Sequence, residues 1–195
     1  MVEGASEAAL KEPLRRFLEV RLADRKPRLR FYPEDGRIPK QERLKRHVER
    51  LLREYDAVIA LTDVYTGTNP RDFENASHAR GDMHSWVGPE PRFHAHAAQY
   101  EFEAWLLPYW SAIQGLAGSK RQSPSATPET VNHDRPPSTH LRDVFRTGSK
   151  GRRYTKTRDA QAILRDQDLT IAALACPELK SFLNTILTLS GGEPL

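Results

Sequence analysis

Apolar residues recur at helical spacing near the start of the chain. Leu10, Leu14, Phe17, Leu18 and Leu22 fall on one stripe and predict an amphipathic helix over residues 6–22. Polar and apolar positions then alternate through Arg28–Tyr32 (RLRFY), ahead of a Pro-Glu-Asp-Gly turn, which predicts a short strand. A second helical stripe, formed by Leu44, Val48, Leu51, Leu52 and Tyr55, predicts a helix over residues 40–55 with Arg and Lys on its other side. Ala57–Thr62 (AVIALT) is a continuous apolar run ending at Asp63, the pattern of a strand buried on both faces of a parallel sheet. The order helix, strand, helix, strand predicts an α/β fold.

The pattern weakens beyond Gly67. Arg92–Ala98 (RFHAHAA) predicts another strand, followed by a short helix through Glu103, Trp105 and Leu106 that Pro108 limits. Residues 118–138 are rich in Ser, Pro, Thr and Asn and predict a long loop. Helical patterns return at residues 138–145, 158–165 and, after Cys176-Pro177, 178–189. Residues 1–110 are therefore expected to form an α/β core, with 111–195 as a loop and helical C-terminal part packed on it. A chain of 195 residues can bury a substantial core without cross-links, and the single cysteine allows no internal disulfide. No apolar run approaches the ~18 residues of a membrane span, and Met1–Leu10 lacks a basic region followed by a hydrophobic stretch, so a cytoplasmic protein without a membrane partner is expected.

The net charge of +4 conceals an uneven distribution. Residues 11–53 carry 15 Lys/Arg against 7 Asp/Glu, residues 54–103 carry 3 against 9, and residues 142–158 carry 7 against 1. An acidic centre between basic flanks suits a divalent metal held by carboxylates with a polyanion around it, and suits ordinary solvated helix faces equally. In open α/β sheets ligands bind at the carboxyl ends of strands, where Glu3 (in Val2-Glu3-Gly4) and Asp63 are expected to sit. Two carboxylates make a seat for Mg²⁺ (or Mn²⁺), which keeps several waters and takes substrate phosphate oxygens, and Glu7 lies one helical turn on. The simpler role for Glu3 and Glu7 is favourable charge at a helix N-terminus. Arg152, Arg153, Tyr154 and Lys156 form a basic loop suited to phosphate contact or to solubility. His94 and His96, with Glu101 or Glu103, offer a weaker two-His-one-carboxylate alternative for zinc or iron. The absence of a P-loop, G-x-G-x-x-G and G-x-S-x-G argues against Walker-type ATP binding, dinucleotide binding and α/β-hydrolase chemistry.

Several segments resemble a known family. Val2-Glu3-Gly4-Ala5-Ser6-Glu7 is similar to the opening Glu-Gly-x-Thr-Glu of Toprim-related proteins, and Leu61-Thr62-Asp63-Val64-Tyr65 to their metal-binding strand end. Gln99–Leu107 resembles the Glu-Phe-Glu-Ala block of the RloG-like branch of that group, whose second motif reads Asp-x-Tyr. Pro136-Pro137-Ser138 with Leu141, Tyr154-Thr155-Lys156 and Cys176–Leu183 look like its C-terminal motifs in the same order.

The resemblance implies a Toprim-like, mostly parallel sheet flanked by helices, and Mg²⁺-dependent nuclease chemistry. It makes Glu3 the general acid/base and Asp63 the principal metal ligand. Tyr65 stands where Asp-x-Asp nucleases carry a second acid, so Glu101 or Glu103 is expected to complete the site, with Lys156, Arg152 or Arg153 offsetting charge on the phosphate. Val2-Glu3 lies so near the start that no full strand is expected ahead of it. The branch is often encoded beside ABC-type or SMC-like ATPases in restriction-linked or phage-defence loci, which implies nucleic acid and such an ATPase as partners. The alternative is a catalytically inactive Toprim-like module that binds nucleic acid or the partner.

Overall fold

Two strands, β1 (Val58–Asp63) and β2 (Phe93–Ala98), pair in parallel from Val58↔Phe93 to Asp63↔Ala98, as their apolar runs predict. The computed structural model describes residues 1–195 apart from 5–6, 24–25, 35 and 132–133, so Ser6, at the expected start of the first helix, lies outside the described residues. Side chains alternate across the pair. Val58, Ala60, Phe93 and Ala95 join one apolar cluster, while Ile59, Leu61 and Ala98 pack into another. Both strands are thus covered on both faces, which explains why the apolar run in β1 is unbroken.

Met1–Glu3 lies beside β1 and joins it through an isolated bridge at Val2 rather than a strand. Leu61 N–H donates to Met1 O at 3.0 Å, and Val2 bridges in parallel to both Leu61 and Pro33. The parallel order across the fold is therefore Pro33, Val2, β1, β2. The strand expected at Arg28–Tyr32 does not form there. Pairing falls instead at Tyr32–Glu34, where Tyr32 O accepts from Val2 N–H at 2.9 Å and Glu34 N–H donates to Val2 O at 2.8 Å. The alternation of that stretch has another cause, since Leu29 and Phe31 pack on the main core while Arg28 and Arg30 are exposed.

The helices follow the stripes with shifted bounds. A 3-10 turn (Glu7–Leu10) leads into α1 (Lys11–Leu22), and α2 (Gln41–Leu51) buries Leu44, Val48 and Leu51. Between the parallel strands runs α3 (Ala76–Val87), which the hydrophobic pattern does not reveal because it buries the small residues Ala76 and Ala79 with Met83 and Val87. Its ends are nevertheless marked by the Asn75 side chain, which accepts from His78 N–H at 2.9 Å, and by Gly88. α2 and α3 pack together on the face of the sheet that carries Ala60 and Ala95.

After β2 a 3-10 segment (Phe102–Tyr109) runs through Pro108 and continues as α4 (Trp110–Ala117), so Pro108 does not end the helix. Lying just ahead of the first turn of α4, its missing N–H costs nothing there. The chain then passes through a short 3-10 turn (Pro128–Thr130) into α5 (Pro137–Thr147), α6 (Lys156–Leu164), α7 (Leu169–Ala175) and α8 (Pro177–Leu189). α7 escapes the sequence reading, and its cue is the Asp168 side chain, which accepts from Thr170 N–H at 2.9 Å. The largest apolar cluster runs from Val2 to Leu187 and takes side chains from both parts of the chain. No helix among the described residues is long and apolar enough to cross a membrane.

Candidate active site

Strand pairing brings the first two predicted carboxylates together. Val2 is bridged to Leu61, so Glu3 arrives beside Thr62, one residue before Asp63 at the end of β1. The Thr62 hydroxyl donates a short hydrogen bond to Glu3 Oε1. Phe102 N–H donates to Asp63 Oδ1 at 2.8 Å, which ties Asp63 to the chain leaving β2. By strand alternation Thr62, which holds Glu3, faces α2 and α3 while Asp63 faces the C-terminal helices, so the two acids flank the carboxyl end of β1, near enough for Glu3 to act on the charge of Asp63. Glu7 is buried with them and its Oε2 accepts from Gly4 N–H at 2.8 Å, closing the turn that follows Glu3.

The two acids of the Gln99–Leu107 block diverge. Glu101, extended at the head of the 3-10 segment, accepts from Ser138 N–H at 2.8 Å and Ser138 Oγ at 3.0 Å, and so caps the N-terminus of α5. Glu103, one of the most buried acids in the chain, lies 3.1 Å from the Lys156 ammonium. Of the two, Glu103 is the one turned toward Asp63, whose charge it influences. Lys156 begins α6 and keeps half its side chain in solvent.

Charge in this cluster is one-sided. Glu3, Glu7, Asp63, Glu101 and Glu103 are all buried, and Lys156 is the basic group whose charge is felt at Glu3, Asp63 and Glu103. Burial, reinforced by Glu7 and opposed by the Thr62 hydrogen bond, pushes the Glu3 carboxyl up to about 7. Burial together with the negative charges of Glu3, Glu7 and Glu103 holds Asp63 well above the usual carboxylate range. Burial also raises Glu103, with Glu101 adding to the effect and Lys156 opposing it. For Lys156 burial alone would lower the ammonium, but Glu103, Glu101 and Asp63 outweigh it and the net shift is upward. The cluster thus gathers more acids than one lysine offsets, and it holds protons that a cation could replace.

Those buried carboxyls, Glu3 after the Val2 bridge and Asp63 at the end of β1, fit an ion held by one or two carboxylates and completed by water and substrate. It does not fit a closed cage, since among the described residues no group of three or more His, Cys, Asp or Glu side chains is set to hold a metal. The His94/His96 alternative is not assembled either. His96 Nε2 lies 3.0 Å from Thr185 Oγ1 with its ring edge against Phe182, and Glu101 and Glu103 are committed elsewhere.

The basic loop is mostly spent on the fold. Arg152 donates from Nη1 to both oxygens of buried Asp159 at 2.9 Å and lies 4.4 Å over the Phe145 ring. Tyr154 is buried with its ring 5.4 Å from that of Phe145, so it offers no surface for stacking a base. Its hydroxyl is buried near Glu103, and burial pushes its pKa far up. Arg153 is exposed, and Lys156 is the one loop cation directed at the acids.

Residues 2–187 match a domain of unknown function, DUF4276, which spans nearly the whole chain. The protein belongs to the DUF4276 family. No curated protein and no solved structure matches it.

In this DUF4276 chain the structure adds residues that spacing alone does not reveal. Thr62 holds Glu3, and Phe102 offers its N–H to Asp63. Arg37 and Lys40 line a small cavity, about 10 Å³, together with Glu3 and Thr62. Lys40 also pairs with Asp72 at 2.6 Å. The available signal was the basic excess of residues 11–53, which marks the region but not the individual side chains.

Proposed function

We propose that this protein is a Mg²⁺-dependent, Toprim-like nuclease that hydrolyses phosphodiesters, acting in phage defence with an ABC- or SMC-like ATPase. One observation carries the chemistry: Asp63 at the end of β1 and Glu3, just after the bridge of Val2 to β1, lie buried with their carboxyls pushed up. Glu3 and Asp63 would hold the ion, which when bound supplies polarisation of a phosphodiester oxygen and orientation of a water. The family resemblance makes Glu3 the general acid/base; in the metal-free protein its carboxyl stands near 7, so an incoming ion competes with a proton for it close to neutral pH. Lys156, charged and half in solvent, offsets negative charge building on the phosphate. Glu103 holds that ammonium in place, and Thr62 and the Phe102 N–H fix the orientation of the two acids. The defence role and the ATPase rest on the family resemblance of the motifs.

The test is hydrolysis of labelled DNA and RNA with Mg²⁺ or Mn²⁺, with and without the neighbouring ATPase, comparing wild type with Asp63→Asn. Metal-dependent cleavage that Asp63→Asn abolishes, with nucleic-acid binding retained, is the expected result. Tyr65 in place of a second acid, and the lack of a ready cage of three ligands among the described residues, favour the second reading, a non-catalytic binding module. Under that reading neither protein cleaves, and Asp63→Asn changes nothing.

A further inference from the structure

Arginines are treated differently in two parts of the surface. Outside residues 26–53 many are neutralised: Arg15 pairs with Glu12 and Glu19, Arg80 with Glu178, Arg135 and Arg146 with Asp143, and Arg152 and Arg158 with Asp159. Within that segment Arg28, Arg30, Arg37, Arg43, Arg50 and Arg53 are exposed and make no side-chain hydrogen bond or ion pair among the described residues. Arg43, Arg46 and Arg50 recur on the side of α2 opposite Leu44, Val48 and Leu51, and exposed Arg46 donates to the Glu42 carbonyl at 3.3 Å and lies 3.9 Å from its carboxylate.

We infer that this face, and not the loop at residues 151–158, is where a nucleic-acid backbone is held. An 11-residue helix is roughly 16 Å long, about the rise of five phosphates along one strand of a duplex. Unpaired guanidinium groups are the side chains best shaped to take phosphate oxygens in pairs. The row also leads to the acids, because Arg37 and Lys40, just ahead of α2, line the cavity shared with Glu3 and Thr62. A backbone lying along α2 therefore passes Arg43 and Arg37 before reaching the carboxyl end of β1. Contact is with phosphate, so binding is insensitive to base sequence.

The inference rests on the phosphodiester reading for its choice of polyanion, and its test is independent of cleavage. A fluorescein-labelled DNA duplex is titrated with the full chain in EDTA over a range of salt, with fluorescence anisotropy as the readout. Wild type is expected to bind with steep salt dependence. The variant Arg37→Gln/Arg43→Gln/Arg46→Gln/Arg50→Gln, with an unchanged circular dichroism spectrum and melting temperature, is expected to lose about four units of slope in log K against log salt. Arg15→Gln/Arg146→Gln, which removes paired arginines, is expected to keep the wild-type slope. No binding by wild type, an unchanged slope in the quadruple variant, or an equal loss in the control overturns the inference. Failure of the nuclease reading looks different: the slopes behave as described, but no metal-dependent cleavage occurs.

Discussion

Asp159 and Asp63 are both buried aspartates, and the fold handles them in opposite ways. Around Asp159 the chain gathers Arg152 at 2.9 Å, Arg158 at 3.0 Å and the Thr155 N–H at 2.7 Å. Burial alone would raise this carboxyl, but these donors outweigh it and hold it below the usual value. Around Asp63 the chain gathers one backbone N–H and three further acids, and the carboxyl is pushed up. A buried acid that only builds structure is neutralised by its own fold. Around Asp63 the fold places acids instead, and that difference supports the proposed cation site at the end of β1.

The sharpest break of this contrast comes from removing each acid. Asp159→Ala is expected to cost about 3 kcal/mol in urea unfolding, because Arg152 and the Thr155 N–H lose their acceptor. Asp63→Asn keeps an acceptor for Phe102 N–H and removes a repelling charge, so the metal-free protein is expected to lose nothing and to gain up to about 1 kcal/mol above neutral pH. Equal losses from the two substitutions would erase the contrast.

Acidity is the next lever. Because Glu3 rises from 4.5 to about 7 on folding, the folded state binds more protons than the unfolded state between those values. Its contribution to stability is therefore full below 4.5 and lost as pH rises through about 7, on the order of 3 kcal/mol over the window. Glu3→Gln is expected to flatten this decline in chemical unfolding measured across pH. Asp159 has the opposite sign: its contribution is present above 3.8 and is lost as pH falls through its lower folded value.

Metal should act on one acid and not the other. Mn²⁺ at about a hundred times its Kd is expected to stabilise wild type by about 2.7 kcal/mol, more strongly above pH 7 than below it, since protons compete for Glu3. The smallest effect sharpens the contrast within the Gln99–Leu107 block. Glu101→Ala, which removes the cap on α5, is expected to cost about 1 kcal/mol while leaving the Mn²⁺ shift intact, as read by thermal melts.

Much of the strand framework was legible in the sequence. The apolar runs at residues 57–62 and 92–98 mark β1 and β2, and the place of Asp63 at a strand end follows from the first of them, whereas Glu3 reaches β1 through an isolated bridge at Val2. α3 was not legible because its buried side is built from alanines, which give little contrast with the polar side. Arg28–Tyr32 misleads because alternation reports which residues are buried, and burial there comes from Leu29 and Phe31 meeting the helical core rather than from strand pairing. The charge of the loop at residues 151–158 was visible, but not that Asp159 turns back to take Arg152. The same blindness hid that most arginines of residues 26–53 have no ion-pair partner among the described residues, because pairing is a property of the folded surface.

The most direct test is a calorimetric titration of Mn²⁺ into wild type, Glu3→Gln, Asp63→Asn and Glu101→Ala, at a pH above the Glu3 value of about 7. Saturable binding to wild type and Glu101→Ala that is lost in both Glu3→Gln and Asp63→Asn is the predicted result. Absence of binding to wild type, or equal binding by all four proteins, would contradict a metal centre at the ends of these strands.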